Sequence, residues 1–368
     1  MGNTRSQIQT VLMATGLFIV SLISGCAAPS YYSQAVSGHM QLMNQRQAID
    51  VLLDSGTVDP ELSHSLELAV EIRNFAVNEL DLPDNGSYTQ FVQTGQNAVT
   101  WNVVAAPEFS LSPKQWCFLV SGCVPYRGYF NAGAAAKFAS SLDEKGYDTF
   151  VSPAIAYSTL GWFDDPLVDT MFQYNDDQLA AFMFHEMAHQ KLYVKGDTSF
   201  NEAYARFVED AGLSLWRASR EPAEQGPGQG TEQRMPPDAA QQFNALLQSA
   251  RDQLGQLYAS DTTEENMRTS KTRILEAFRG EYQLLVESRW GGTDPYRSVF
   301  AGELNNASLA LINAYEGGSC AFAKLFQEAG NQMAEFHRLA AAKARLSKTS
   351  RSTWLNKPCE VIASDSDL

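Results

Sequence analysis

Apolar residues recur at helical spacing over residues 31–55 and 59–80, and the second stretch opens with Asp59-Pro60-Glu61, a capping residue followed by a first-turn proline. Together they predict a helical hairpin. Between 87 and 163 the pattern changes to short aromatic and β-branched runs at 98–105, 126–130 and 149–151, which predict a small twisted sheet. A helical pattern returns after Asn175-Asp176-Asp177, an N-cap with an acidic first turn, and runs through residues 178–190 with enough apolar side chains to be buried. Lys195-Gly196-Asp197-Thr198-Ser199 reads as a helix stop followed by a new cap, so the helix starting near Phe200 folds back on its predecessor. Residues 221–238, rich in Pro, Gly, Gln and Glu, have no apolar period and predict a flexible loop. Long helical patterns resume over 239–289, and again over 299–315 and 321–346 after Trp290-Gly291-Gly292-Thr293-Asp294-Pro295. The rest, 347–368, reads as a tail, with disorder expected beyond Cys359. The fold class is α+β and mostly helical, organised as an N-terminal hairpin over 26–86, a core over 87–220, the loop, and a helical C-terminal region over 239–346.

The buried helix carries the chemistry. His185-Glu186-Met187-Ala188-His189 puts two imidazoles four residues apart, which on a helix turns both rings toward one point. They suit a divalent metal, with Glu186 beside it as a general base, which is the arrangement of a zinc hydrolase. The five-residue pattern is short and arises by chance in long chains. The chain has 5 histidines, however, and two of them fall in this single turn.

A catalytic zinc needs a third protein ligand. Glu202 lies in the first turn of the returning helix and Glu209 seven residues later on the same face, so helical rise alone leaves both open. The assignment taken is Glu202 as ligand, with Glu209 and Arg206 orienting a histidine or a carboxylate. The competing structural reading makes Ser199 and Glu202 a capping box. Leu192 and Lys195 stand where the longer histidine-rich zinc motif needs glycine and a third histidine, which favours a carboxylate.

Residues 184–190, Leu192-Tyr193-Val194-Lys195-Gly196-Asp197-Thr198 and Asn201-Glu202-Ala203 resemble the predicted zinc aminopeptidase family of bacterial lipoproteins, within the wider gluzincin group. The resemblance extends upstream to Trp116-Cys117, to residues 122–130 and to residues 156–166, and downstream to Asn305-Asn306-Ala307 and Tyr315. It covers nearly all of the chain after residue 26. It implies a zincin-like catalytic core with the sheet beside the HExxH helix, Zn2+ as cofactor and a peptide substrate. Residues 150–158 then form the edge strand that pairs with extended substrate, so that Tyr157 and Ser158 would touch it. The glycine-rich segment with a glutamate that holds a free amine in such enzymes has no counterpart here. Asp164 and Asp165 are candidates for that role, against the alternative that two acids before a proline cap a helix. Glu186 would take a proton from the attacking water and return it to the leaving amine. Tyr315 and Asn305 are candidate donors to the developing oxyanion, with helix packing as the alternative for Tyr315.

Residues 1–25 carry one charge, Arg5, and an apolar stretch over 11–23 that is too short for a confident membrane span. With Ile23-Ser24-Gly25-Cys26 they resemble a lipoprotein signal peptide whose Cys26 is lipidated. The alternative is a plain secretory signal cut near Ala27-Ala28. Ala27 is not the aspartate resembling an inner-membrane retention signal, so the expectation is an outer-membrane lipoprotein facing the periplasm, held to the membrane by a lipid anchor at Cys26. Cys117, Cys123, Cys320 and Cys359 then remain as an even set in an oxidising compartment. Four cysteines allow three connectivities, of which proximity in the chain favours Cys117 with Cys123 and Cys320 with Cys359. The 368 residues, 44% hydrophobic with formal charge −15, bury a sizeable core and argue against nucleic acid as a partner. Two classes of function follow: a zinc metallopeptidase acting as an aminopeptidase or an endopeptidase, and an envelope lipoprotein that keeps the scaffold as a binding or assembly factor.

Overall fold

The computed structural model describes residues 29–118, 121–220, 239–316 and 319–357. The expected signal peptide with Cys26, the loop over 221–238 and Cys359 lie outside the described residues. The chain is mostly helical with small sheets, an α+β arrangement.

The runs expected at 98–105, 126–130 and 149–151 join in one antiparallel sheet. Thr100–Pro107 lies between Tyr126–Tyr129 and Tyr147–Ala154, with Val103 opposite Arg127 on one side and Val151 on the other. The central strand is covered on both faces, which is why its sequence is a nearly unbroken apolar run. Val103 and Ala105 pack with Ala135, Ala139 and Leu142 of the helix Ala132–Asp143. Val104 faces the other way, onto Ala307, Ala310 and Leu311 of the helix Asn306–Glu316.

Pro60–Asn78 forms as its sequence predicts, with the Asp59 carboxylate accepting from Leu62 N at 3.0 Å and Pro60 in the first turn. Its buried stripe, Leu66, Ala69, Ile72 and Ala76, belongs to the main core with the HExxH helix Asp176–Lys191. The return helix Thr198–Ser219 packs there through Gly212, where a Cβ would stand 2.7 Å from Leu80 and 2.9 Å from Phe184. A side chain at this position would push the two helices apart.

The expected N-terminal hairpin is not what forms. The stretch 31–55 splits into the helices Pro29–Asn44 and Ile49–Asp54, because Gln47–Ala48 leaves the helix to pair with Gln90–Val92 in a second small sheet that Leu167–Val168 completes. Arg46 Nε closes the first helix on Met43 O at 2.9 Å. That helix lies along Tyr126–Tyr129, where Gln34 binds both Gly128 O and Phe130 N.

Elsewhere the long helical patterns are shorter in the structure. The stretch 239–289 becomes a hairpin of Ala239–Tyr258 and Glu264–Ser288, restarted by the Thr263 cap. Its core sets Phe243, Leu247 and Leu254 against Leu275, Phe278 and Tyr282. The stretch 299–315 becomes Arg297–Phe300 and Asn306–Glu316. The stretch 321–346 becomes Ser319–Glu328 and Met333–Ala344, parted where Gly330 and Asn331 both take positive φ. The expected tail begins with a further helix, Lys348–Leu355, whose Arg351 is buried against Asp197 at 2.7 Å. Among the described residues no helix is long and apolar enough to cross a membrane.

Candidate metal centre

The HExxH helix starts with a capping box: Asn175 accepts from Gln178 N at 2.9 Å while Gln178 Oε1 accepts from Asn175 N at 3.3 Å. Its buried residues include Leu179, Met183, Phe184, Met187, Ala188 and His189, so apolar packing fixes its rotation about its own axis. The turn to the return helix is clamped by Asn201, whose side chain accepts from Val194 N at 2.7 Å and donates to Val194 O at 2.9 Å. Asp197, rather than Ser199, is the N-cap of the return helix and accepts from Phe200 N. The Ser199–Glu202 capping box therefore does not form, and the Glu202 carboxylate turns to the histidines.

The three expected ligands meet. His185 Nε2 and His189 Nε2 are 3.2 Å apart, and Glu202 Oε2 lies 3.3 Å from the first and 3.6 Å from the second. All three side chains are nearly buried. Oε2 is close to both rings yet aligned on no hydrogen-bond donor, and it is buried. Four ligand atoms about 2.0–2.1 Å from a tetrahedral zinc stand roughly 3.3–3.4 Å from one another, so the observed triangle fits that ion. Two imidazole nitrogens and a carboxylate are also a donor set that catalytic zinc uses.

Charge and orientation support the triangle. Glu209 Oε2 accepts from His185 Nδ1 at 2.9 Å, which leaves the His185 Nε2 lone pair facing the other two ligand atoms, and Arg206 holds Glu209 Oε1 at 3.2 Å. The structure thus separates the two glutamates, with Glu202 in the triangle and Glu209 behind a histidine. Burial works against a charged His185, but the Glu202 and Glu209 carboxylates beside it outweigh that and raise its pKa well above the imidazole range. Burial likewise opposes ionisation of Glu202, and the His189 and His185 charges overcome it, holding its pKa at about 2. A dication at this place would displace the proton from His185 Nε2 and meet a carboxylate that is already ionised.

The triangle opens into a cavity of about 410 Å³, lined also by Glu186, Tyr126, Tyr157 and Ser158. The disulfide Cys117–Cys123 staples a hairpin whose Phe118, Ser121 and Val124 form part of the wall. Its Gly122, at φ 79°, sits against the inter-helix turn, where a Cβ would be 2.7 Å from Gly196 N. Cys320 is disulfide-bonded, and its expected partner Cys359 lies outside the described residues.

Other expected site residues are placed elsewhere. Asp165 is fully buried and accepts from Thr159 N, Thr159 Oγ1, Ser158 Oγ and Gln190 Nε2, so it organises the 158–165 loop instead of facing substrate. Asp164 is exposed against Gly86, and neither acid lines the cavity. Asn305 caps the helix Asn306–Glu316, accepting from Ala307 N and Ser308 N at 3.0 Å, and donates to Thr149 O at 2.8 Å. Those bonds occupy the amide away from the cavity. Tyr315 lies in that helix, and its side chain is outside the described residues.

Tyr126 is the cavity residue that sequence reasoning passed over. Burial, followed by the nearby Glu202, Tyr193 and Glu186, pushes its phenol far up and keeps its proton on. It alternates along its strand with Arg127, whose guanidinium stacks 4.0 Å from the Tyr31 ring, and that alternation in the run 126–130 was the available signal.

A family model described as "Putative aminopeptidase" matches residues 30–355. Comparison with curated proteins and with solved structures gave no match.

Proposed function

The chain belongs to the family described as "Putative aminopeptidase", a peptidase family, and from that premise we propose that it is a zinc-dependent aminopeptidase with a zincin-like core. The observation that carries the metal reading is the triangle of two ring nitrogens and one carboxylate oxygen at 3.2–3.6 Å, with that oxygen buried and aligned on no donor.

His185, His189 and Glu202 would hold the ion, and zinc bound there supplies a water acidified toward neutral pH and polarises a substrate carbonyl. Glu209 keeps the proton of His185 on Nδ1, and Arg206 neutralises the outer oxygen of Glu209. Glu186, half-buried in the cavity wall, takes the proton of the attacking water and hands it to the leaving amine. Tyr126, protonated throughout, donates to the oxyanion as it develops. Tyr147–Ala154 is an edge strand, and the chain beyond it lines the cavity through Ala156, Tyr157 and Ser158, which suits an extended peptide bound through its main chain.

The free amino end follows from the family reading. Among the described residues the acids lining the cavity are Glu186 and Glu202, and neither lysine nor arginine lines it, so these two carboxylates together balance the double charge of a bound dication. The test is to measure bound zinc and hydrolysis of peptides, free or acetylated at the amino end, by the full chain and by Glu186→Gln. We expect zinc in both proteins, turnover of free peptides by the wild type, and loss of turnover on acetylation or in the variant. Equal turnover of acetylated peptides would make the protein an endopeptidase. Zinc retained without turnover in either protein would leave a binding or assembly factor at the envelope.

A further inference from the structure

The helix Pro29–Asn44 has two faces with different duties. Tyr31 and Ala35 line the cavity. Away from them Tyr32, Val36 and Met40 recur every fourth residue as an exposed stripe, with Val36 61% and Met40 50% accessible. Beside the helix stands a second exposed apolar group. Leu160 and Gly161 both take positive φ, and the turn they make presents Trp162, 69% accessible, and Phe163. His39 joins the two groups, its ring 4.8 Å from that of Phe163, and Arg46 holds the same loop through Asp164 O.

The chain leading into this helix is unusual for a protein of formal charge −15. From residue 6 to residue 45 there is no Asp, Glu, Lys or Arg, so the charge-free run covers the apolar stretch 11–23, Cys26 and the whole helix. A helix that faces water across such large apolar side chains ordinarily surrounds them with charges. Uncharged serines and glutamine flank the stripe here, at Ser33, Ser37 and Gln41. Two residues, Ala27 and Ala28, separate Cys26 from the start of the helix, so an acyl chain on Cys26 would keep the start of this helix within about 10 Å of the anchored residue.

We propose that Tyr32, Val36, Met40, Trp162 and Phe163 form a surface that lies on the lipid bilayer carrying the Cys26 anchor, so that one helix is both the membrane-facing side of the protein and a wall of its peptide cavity. The attachment is apolar and not electrostatic, since neither the helix nor the 160–163 turn contributes a charge. It goes beyond the peptidase reading and does not depend on it.

The test uses the full chain, with the mass of its N-terminal peptide recorded, mixed with phosphatidylcholine vesicles whose acyl chains are plain or brominated. Of the 6 tryptophans, Trp162 is the one exposed as a large hydrophobic. Expected are flotation with the vesicles and a loss of tryptophan emission in brominated lipid that disappears in Trp162→Phe and shrinks in Val36→Asp/Met40→Asp. Equal emission in the two lipids from protein that floats would overturn the proposal, because the anchor would then hold a protein whose patch stays in water. Failure to float would overturn it as well, and so would dimerisation in solution that buries Trp162 without lipid.

Discussion

Replacing Glu209 by glutamine tests the proposed metal site through its orientation, without removing a proposed ligand. In the structure Glu209 Oε2 accepts from His185 Nδ1 at 2.9 Å, and both side chains are nearly buried. Glutamine keeps an acceptor oxygen in the same place but loses the charge. A hydrogen bond to a charged partner contributes about 1.5–3 kcal/mol and a neutral one about 0.5–1.5 kcal/mol, so the exchange costs roughly 1–1.5 kcal/mol. That equals about a tenfold weaker zinc affinity, at the low end of the 10- to 100-fold range typical of residues behind a metal-bound histidine. Arg206 remains paired with Asp210 at 3.2 Å, which limits disturbance of the return helix. The assay is competition for zinc against a chromophoric chelator at neutral pH, with circular dichroism to verify the fold. A well-folded Glu209→Gln protein with wild-type zinc affinity would refute the orientation ascribed to Glu209.

Three further outcomes follow from other parts of the structure. Arg351→Ala leaves Asp197, the N-cap of the return helix, buried without its cation, and breaking a buried pair of this kind costs about 3–5 kcal/mol, to be read from urea unfolding; a change too small to resolve would mean the pair is idle. Burial lowers the pKa of His337 from 6.5 to about 4, so the unfolded chain binds a proton first as pH falls. Stability should therefore drop by up to about 3 kcal/mol between pH 6.5 and about 4, and His337→Gln should flatten that slope, whereas an unchanged slope would assign it to other groups. Tyr126→Phe should keep its zinc and lose on the order of 100-fold or more in kcat, the usual cost of one oxyanion donor, and unaltered kcat would exclude it from that role.

Much of the site's skeleton was legible because it is local. The Asn175 cap, the apolar run after it and the i,i+4 histidines specify a buried helix with two rings on one side, whatever surrounds them. The glycine and cap at 196–197 specify a return helix that brings a carboxylate back. The Pro60 helix and the three strand runs were visible for the same reason. Where the reading was wrong or incomplete, the competing term was long-range. Gln47 and Ala48 leave a helical pattern for strand partners more than forty residues away, and Asp165, an exposed-looking acid, is taken inward by four donors on one loop and the HExxH helix.

The sequence by itself determined which residues share a face: His185 with His189, and Glu202 with Glu209. Periodicity fixes positions within one element, and it says nothing about where a neighbouring element's atoms fall. The return helix starts at Asp197, packs closely through Gly212 and is pinned by Asn201 and Arg351. Those contacts, made between segments far apart in the chain, decided that Glu202 reaches the imidazole nitrogens while Glu209 stands behind one of them. They belong to the same tertiary packing that turned an N-terminal helix into a wall of the cavity and placed Tyr126 beside the two carboxylates.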